Sequence, residues 1–397
     1  MKFKTPLGLI RKLHPTSGLA IILVCFPVGI FAGCSSVFLS HDMRTAEKSF
    51  TALFEAAWSP DDTFFSEDNS QHILQQLDRL SGSLRHAEEI TAKNSSDLTY
   101  QATFDAIETQ LADARERFKA GQKDYSQWQI RRIGESCILC HTRYQATVDF
   151  VPDTIPETVP TWDNRFRQAQ YLFSIRQFDK SSSEFLDLVT DGLESGIPLA
   201  DIKQAAFYWL TIEIKVKNRL FSLNKKLERI AEHAPISGEL QDIITQWSAD
   251  SDMLLTERWM LLAPLRKARA LTQDLSDEIS IAEDENNLVK TLYASSILQG
   301  ELPLLTNRGI QAELSYLAGL TYVHTPIPSL RPYGDLYLEQ CILENPGTDY
   351  AQRAFLALYQ QTRLMSTGSG GVHFDPADSS HLAHLKTLAY GNEPQTK

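Results

Sequence analysis

Apolar residues recur at alternating steps of three and four positions in four segments between residues 41 and 150. Steps of this kind place each set of side chains along one stripe of a helix, so four amphipathic helices are predicted. The four stripes consist of Met43, Ala46, Phe50, Leu53 and Ala57; Ile73, Leu77, Leu80, Leu84 and Ala87; Tyr100, Phe104, Ile107, Leu111, Ala114 and Phe118; and Ile130, Ile133, Cys137, Cys140 or His141, Tyr144 and Val148.

Helix-breaking residues separate the four stripes. They cluster at residues 59–62 (SPDD) and 93–97 (KNSSD), and Gly121 precedes Asp124, which is expected to cap the fourth helix. Four amphipathic helices joined by short loops predict an antiparallel four-helix bundle over residues 41–149.

A change of composition begins at residue 150. Residues 150–160 contain three prolines. Because proline fixes φ and removes a backbone donor, this stretch is predicted to be a stiff linker. Residues 161–390 are predicted to form a second helical domain, so the fold class is all-α. Its amphipathic runs include residues 165–189, 313–323 and 333–361.

The architecture of the second domain stays open between two interpretations. Residues 344–354 (ENPGTDYAQRA) resemble the corner between repeats in tetratricopeptide-like proteins, whose stacked helix pairs bind other proteins on a concave surface. No strict period of about 34 residues is present, so an irregular helical bundle is the alternative. Residues 366–371 (STGSGG) are expected to form a flexible loop. The last short helix carries His381 and His384, expected as a surface pair without a carboxylate partner.

The distribution of charge along the chain bears on which partners the protein can bind. The chain of 397 residues has 43% hydrophobic and 22% charged residues and a net charge of −12. Residues 1–40 hold four basic residues and no acidic one, so residues 41–397 carry a net charge of −16. Phosphate backbones bind through Lys and Arg, and this acidic body has no basic stripe. Nucleic acid is therefore not expected as a partner.

Residues 1–34 have the organisation of an export signal. A basic start precedes an apolar core at residues 19–33, which is too short to span a bilayer comfortably and is interrupted by Pro27. The core ends in FAGCSS, which resembles the bacterial lipobox, although Phe31 stands where Leu is usual. The resemblance implies lipidation of Cys34 and a periplasmic, membrane-anchored lipoprotein of a Gram-negative bacterium. A simple cleaved signal and a retained membrane anchor are the alternatives.

The five cysteines leave one pair whose chemistry needs an explanation. Cys25 lies in the signal, Cys34 is the lipidation candidate, and Cys341 lies in an apolar helical run, where it is expected to be a small buried hydrophobe. The remaining pair lies in residues 137–141 (CILCH). A disulfide here would close a very small loop. A zinc site would need a second ligand pair, and a redox dithiol would follow a buried strand, neither of which the sequence predicts.

Covalent haem attachment accounts for the whole motif. C-x-x-C-H is the attachment sequence of c-type haem, and two thiols three positions apart on a helix share one face. They can reach the two vinyl groups of one porphyrin, and the histidine after the second cysteine is placed to bind the iron. One motif predicts one haem c, attached to Cys137 and Cys140, with His141 as an axial ligand.

Residues 41–149, little more than a quarter of the chain, resemble cytochrome c-prime. GESCILCHTRY at residues 134–144 is similar to the family's Gly-x-x-Cys-x-x-Cys-His-x-x-aromatic, with Tyr144 as the aromatic residue. The resemblance implies thioethers at the two cysteines, a proximal histidine, and a sixth iron position that faces the first helix. Gln145 departs from the family, which commonly has a basic residue four positions after the histidine.

The sixth iron ligand is open. In the family, an apolar residue at this position leaves the iron five-coordinate, whereas a Met makes it six-coordinate. Phe50 and Leu53 occupy the middle of the first stripe, and Met43 lies only at its start. Further alternatives are His41, His72 and His86.

Two function classes follow from these features. The first is an exported c-type cytochrome lipoprotein whose haem serves electron transfer or small-ligand binding and whose helical domain docks a redox partner or a membrane protein complex. The second is a helical scaffold lipoprotein whose haem domain senses a gas such as nitric oxide. An enzyme is not predicted, because the second domain lacks a phosphate loop, a nucleophile elbow and a metal-ligand cluster. A two-haem peroxidase would need a second C-x-x-C-H.

Overall fold

Helices account for almost all of the described structure. The computed structural model describes residues 28–58, 64–92, 98–142, 161–233, 238–275, 285–304, 307–327, 330–368 and 371–391. Side chains are described from residue 41 onward, except those of residues 91, 92, 98, 233 and 304. The α-helices are α1 (Val28–Trp58), α2 (Glu67–Ala92), α3 (Leu98–Lys119), α4 (Lys123–His141), α5 (Trp162–Ser174), α6 (Phe178–Ser195), α7 (Leu199–Thr211), α8 (Leu220–His233), α9 (Gly238–Leu255), α10 (Glu257–Met260), α11 (Pro264–Thr272), α12 (Leu288–Glu301), α13 (Arg308–Val323), α14 (Pro332–Glu344), α15 (Asp349–Met365) and α16 (Pro376–Tyr390). A π-helix, Ile212–Val216, continues α7. The prediction of an all-α protein is confirmed for these residues.

The four N-terminal helices, α1–α4, enclose a shared apolar core. Helices α1 and α3 each pack against both α2 and α4. The predicted stripes supply most of the buried side chains: Ala46, Phe50, Leu53, Ala57, Ile73, Leu77, Leu80, Leu84, Ala87, Phe104, Ile107, Leu111, Ala114, Phe118, Ile130 and Ile133. Met43, Tyr100 and Cys137 lie partly buried at the edge of this core. The spacing of apolar residues therefore decides which face of each helix is buried.

Helix α4 differs from its prediction at the start. It begins at Lys123, and Gln122 occupies the N-cap without a capping side-chain bond, so the expectation that Asp124 caps the helix is wrong. Asp124 lies in the first turn, where an acidic side chain still favours the helix dipole. The helix ends at His141, and the backbone N–H of Thr142 donates to the Ile138 carbonyl.

Helices α5–α16 pack mainly against their neighbours in sequence. Helix α6 packs on α5 and α7, α9 on α8, and α14 on α13 and α15. Residues 165–189 lie in α5, its turn and α6, and residues 333–361 lie in α14, its turn and α15, as predicted. The repeat-like interpretation of this half stays a prediction.

Helix α5 contributes to two apolar cores, that of the N-terminal half, α1–α4, and that of the C-terminal half, α5–α16. Tyr171, Leu172 and Ile175 pack into the core of α1–α4, whereas Phe173 packs into the core of the later helices. Ile138 lies in α4, but its side chain is buried in the core of the later helices. The two halves are therefore in continuous apolar contact through α4 and α5.

A polar contact joins the halves at a second point. The hydroxyl groups of Thr103 in α3 and Tyr333 in α14 share a hydrogen bond, and both side chains are buried. The contact spans 230 positions of sequence.

Part of the stretch predicted to be a flexible loop, residues 366–371, forms a short β-ladder, whereas residues 369–370 lie outside the described residues. Strand β1 (Thr367–Gly368) pairs antiparallel with β2 (Gly371–Val372). Gly371 has a φ of 103°, a backbone conformation that favours glycine.

The two histidines of α16 are not alike. His384 is exposed. The Nε2 atom of His381 lies 3.2 Å from Oε1 of Glu339 in α14, so the expectation that the pair lacks a carboxylate partner is wrong. The partner comes from another helix, which a local pattern does not reveal.

Several predicted features lie outside the described residues. They are residues 1–27 of the signal segment, Tyr144, Gln145, Val148 and the proline-rich stretch at 150–160. The backbone of Cys34 lies in α1, but its side chain is not described. Among the described helices, none combines the length and the apolar character needed to cross a bilayer.

Candidate functional site

The last two turns of α4 bring the motif residues together. Cys137, Cys140 and His141 are three and four positions apart, so their side chains share one face of the helix. All three line the same cavity. The two thiols are free cysteines, not a disulfide.

The cavity lies between α1, α2, α3, α4 and the end of α5. It is partly open to solvent and has an almost entirely apolar lining. Its lining consists of Met43, Ala46, Glu47, Phe50, Leu80, Leu84, Thr103, Phe104, Ile107, Cys137, Cys140, His141, Ser174 and Ile175.

The environment of Cys137 keeps its thiol neutral. Burial raises the pKa of Cys137 to about 12, and the neighbouring Cys140 adds to the effect. The thiolate is the form of cysteine that attacks electrophiles and binds metals. The raised pKa therefore keeps Cys137 in the unreactive thiol form.

The imidazole of His141 is held neutral at the edge of the cavity. Burial lowers its pKa to about 3, and the positive charge of Arg176 lowers it further, while a backbone hydrogen bond with Ser174 opposes the shift. Its Nδ1 atom is buried and has no hydrogen-bond partner within the described part of the chain. A neutral ring with an available nitrogen is the form of histidine that binds iron.

Helix α1 supplies the wall that the sequence predicted to face the sixth iron position. Met43 and Phe50 both line the cavity. Leu53 is buried in the surrounding core and is not part of the cavity wall. The Phe50 ring packs closely on α4, because a Cβ added to Gly134 would lie 3.2 Å from its Cζ atom.

The alternative histidine ligands are not in the cavity. His41, His72 and His86 are exposed, and none of them contributes to its wall. His41 and His86 both approach the carboxylate of Asp42 instead.

Sequence reasoning missed the contribution of the second half of the chain. Ser174 and Ile175 close the cavity from the end of α5, and the buried Arg176 follows them. Arg176 has a φ of 66°, which turns the chain sharply between α5 and α6, and its guanidinium lies 5.6 Å from the centre of the Phe178 ring. No local signal marks these residues, because they reach the motif across more than thirty positions of sequence.

The residues present fit a covalently attached haem. Two thiols on one helical face, a neutral imidazole one position further and an apolar cavity in front of them are the donor set and surroundings that a c-type haem requires. The described residues contain no group of three His, Cys, Asp or Glu side chains arranged to hold a metal ion by themselves.

Comparison with known proteins does not place the chain in a family. No family model, no curated protein and no solved structure matches it.

Proposed function

We propose that this chain is an exported c-type cytochrome lipoprotein that binds one haem c for electron transfer or for binding a small ligand. The observation that supports this most strongly is the meeting of Cys137, Cys140 and His141 in the wall of one apolar cavity. A C-x-x-C-H motif on a solvent-facing helix would leave a haem uncovered. Here four helices and the end of a fifth surround the space in front of it.

The chain's own residues have distinct roles in this proposal. Cys137 and Cys140 would hold the haem through thioether bonds, and His141 would bind its iron. Ile107, Phe104 and Leu80 exclude water from the ring. When bound, the haem supplies one-electron redox chemistry or reversible binding of a diatomic gas. The positive charge of Arg176 near His141 favours the form of the site with the lower positive charge, and therefore favours the reduced state.

The surrounding architecture agrees with the proposed class. The packing of α1–α4 around one core supports a four-helix bundle like that of cytochrome c-prime. Helices α6–α16 are then a tetratricopeptide-like or irregular helical domain that docks a redox partner or a membrane protein complex. The basic, apolar segment that ends at Cys34 supports periplasmic anchoring through lipid.

A gas sensor on a helical scaffold is the second candidate, and one observation favours it. The cavity wall from α1 presents Phe50 and Ala46 in addition to Met43, which leaves room for an iron without a sixth protein ligand. The same cavity touches α5, which continues into the second core. Packing through α5 would therefore connect the iron site to the helices that would bind a partner.

The test is the mass and spectrum of protein made in cells with working haem-attachment machinery. We expect the mass of one haem, lost in Cys137→Ala with Cys140→Ala and kept in Cys341→Ala as the matched cysteine control. His141→Ala should keep the covalent haem but change its absorption spectrum. A chain without added mass, made beside a correctly assembled reference cytochrome, would show the proposal to be wrong.

Electron transfer and gas sensing are separated by the spectrum of the reduced protein. A sharp low-spin spectrum without carbon monoxide binding supports the electron carrier. A broad high-spin spectrum that changes with carbon monoxide or nitric oxide supports the sensor.

A further inference from the structure

Three large apolar side chains are exposed together at one end of the α8–α9 helix pair. Phe221 near the start of α8 is 64% exposed, Met260 at the end of α10 is 60% exposed, and Leu261 is 78% exposed. Several large apolar side chains exposed in one region of a surface are typical of a site of interaction.

Hydrogen bonds between the two helices show that the start of α8, with Phe221, lies beside the end of α9, from which the chain continues to Met260 and Leu261. Asn224 of α8 donates to Asp252 of α9 at 2.7 Å and accepts from Ser251 at 2.7 Å. Phe221 lies about one turn before Asn224, and the chain leaves α9 about one turn after Asp252 to enter α10. We refer to Phe221, Met260 and Leu261 as the apolar end.

Basic residues lie close to the apolar end in a chain with a net negative charge. The Nζ atom of Lys225 lies 4.5 Å from the centre of the Phe221 ring, and that of Lys267 donates to the Met260 carbonyl at 3.4 Å. Arg258 and Arg266 are exposed on either side of Leu261. Glu257 is the acidic residue in the same stretch, so residues 257–267 carry a net charge of +2 within a chain of −12.

We propose that the apolar end docks onto the surface of an anionic lipid bilayer. Exposed Phe, Met and Leu side chains enter the boundary between headgroups and acyl chains, while the neighbouring Lys and Arg side chains contact lipid phosphates. Trp259, partly buried beside them, is of the residue type enriched at membrane interfaces. Charge complementarity selects the bilayer as the occupant, because the cations lie at the rim of the apolar side chains. This contact is additional to any lipid on Cys34 and does not depend on the haem.

The depth of one new tryptophan tests the proposal in the full chain. Leu261→Trp and Met365→Trp place the same reporter at two exposed sites, 78% and 76% exposed, in different parts of the molecule. Both are added to vesicles of phosphatidylethanolamine and phosphatidylglycerol with brominated acyl chains. We expect the added emission of Leu261→Trp to be quenched at least about twofold more than that of Met365→Trp. Equal quenching would overturn the proposal.

The charge requirement is tested in the same assay. Replacing Arg258, Arg266 and Lys267 by Gln should remove the excess quenching of Leu261→Trp, since each cation near an anionic bilayer contributes about a fivefold factor in affinity. Neutral phosphatidylcholine vesicles should have the same effect. Excess quenching that persists both in the triple Gln variant and on neutral vesicles would contradict an anionic bilayer as the occupant.

An interface between two copies of the chain is the competing outcome. If Leu261→Trp is not quenched and the wild-type chain is a dimer that Leu261→Ser dissociates, the apolar end binds a second copy and the proposal is wrong. Circular dichroism of each variant verifies the fold, and Met260→Trp replaces Leu261→Trp if the latter does not fold.

Discussion

The hydroxyl of Tyr171 in α5 lies 2.8 Å from Oγ1 of Thr51 in α1, a hydrogen bond between residues 120 positions apart. The Tyr171 ring also stacks on Phe54 with ring centres 4.4 Å apart. Burial raises the pKa of Tyr171 to about 12, so its hydroxyl stays protonated at neutral pH. Through this one side chain, α5 is joined to the helix that forms one wall of the candidate site.

Removing this hydrogen bond should weaken the attachment of α5 to α1. Tyr171→Phe keeps the ring stacking but loses the hydroxyl, and we expect the free energy of unfolding to fall by about 0.5–1.5 kcal/mol. Urea denaturation of Tyr171→Phe, Thr51→Val and the double variant gives the coupling between the two side chains. Strictly additive effects on the free energy of unfolding would show that the two hydroxyls do not interact. The matched control is Tyr359→Phe, at an exposed tyrosine.

Gly134 sets the space available to Phe50. A methyl group on Gly134 would lie 3.2 Å from the Phe50 ring, so Gly134→Ala should push that ring towards the cavity and slow the entry of carbon monoxide several-fold in the haem-loaded protein. Gly82→Ala in α2 has no atom within 4 Å and is the control. It should leave the rate unchanged and stabilise the helix by about 0.4–1 kcal/mol. Stopped-flow ligand binding measures the rates, and equal rates in both variants would contradict this placement of Phe50.

Met43 is the remaining candidate for a sixth iron ligand on α1. If its sulfur binds the iron, Met43→Leu converts a low-spin spectrum to a high-spin one and opens the site to carbon monoxide. The apolar neighbours of Met43 in the cavity wall lead us to expect no change of spectrum. Absorption spectra of the reduced wild type and Met43→Leu show whether the Met43 sulfur binds the iron. Met253→Leu, in the core of the later helices, is the control for the loss of a Met away from the site.

The parts of the fold that were predictable from sequence are those that a single helix specifies. The stripe Ile73, Leu77, Leu80, Leu84 and Ala87 is buried throughout, because residues three and four positions apart necessarily share a face. The motif on α4 was readable for the same reason. Ser174 and Ile175 were not, because their approach to His141 depends on how α5 packs and not on any pattern in their own sequence.

The π-helix shows the same limit in the second half of the chain. Residues 212–216 (IEIKV) contain two charged side chains that a local pattern would assign to a solvent-facing surface. Both Glu213 and Lys215 are buried, and the Lys215 Nζ atom donates to Ser295 at 2.6 Å and to Tyr322 at 3.1 Å. These partners lie 80 and 107 positions away, so the bonds that make burial tolerable are invisible in the sequence.

Asp335 in α14 should make the stability of the protein depend on pH. Burial raises the pKa of its carboxyl to about 7, the nearby Glu339 adds to the effect, and its buried Oδ1 atom has no hydrogen-bond partner within the described residues. The folded state therefore binds more protons at this site than the unfolded state between about pH 4 and pH 7. The free energy of unfolding should fall as the pH rises through this window and then level off.

Asp335→Asn should remove this dependence, because the amide resembles the protonated carboxyl and does not titrate. We expect the variant to be more stable than the wild type at pH 8, by on the order of 1 kcal/mol, and close to it at pH 4. Urea denaturation at unit steps of pH measures the difference between the two proteins, which removes the pH effects that both share. The exposed Asp274→Asn is the control and should follow the wild-type curve. A difference between wild type and Asp335→Asn that does not grow from pH 4 to pH 8 would mean that this carboxylate is solvated in the folded protein.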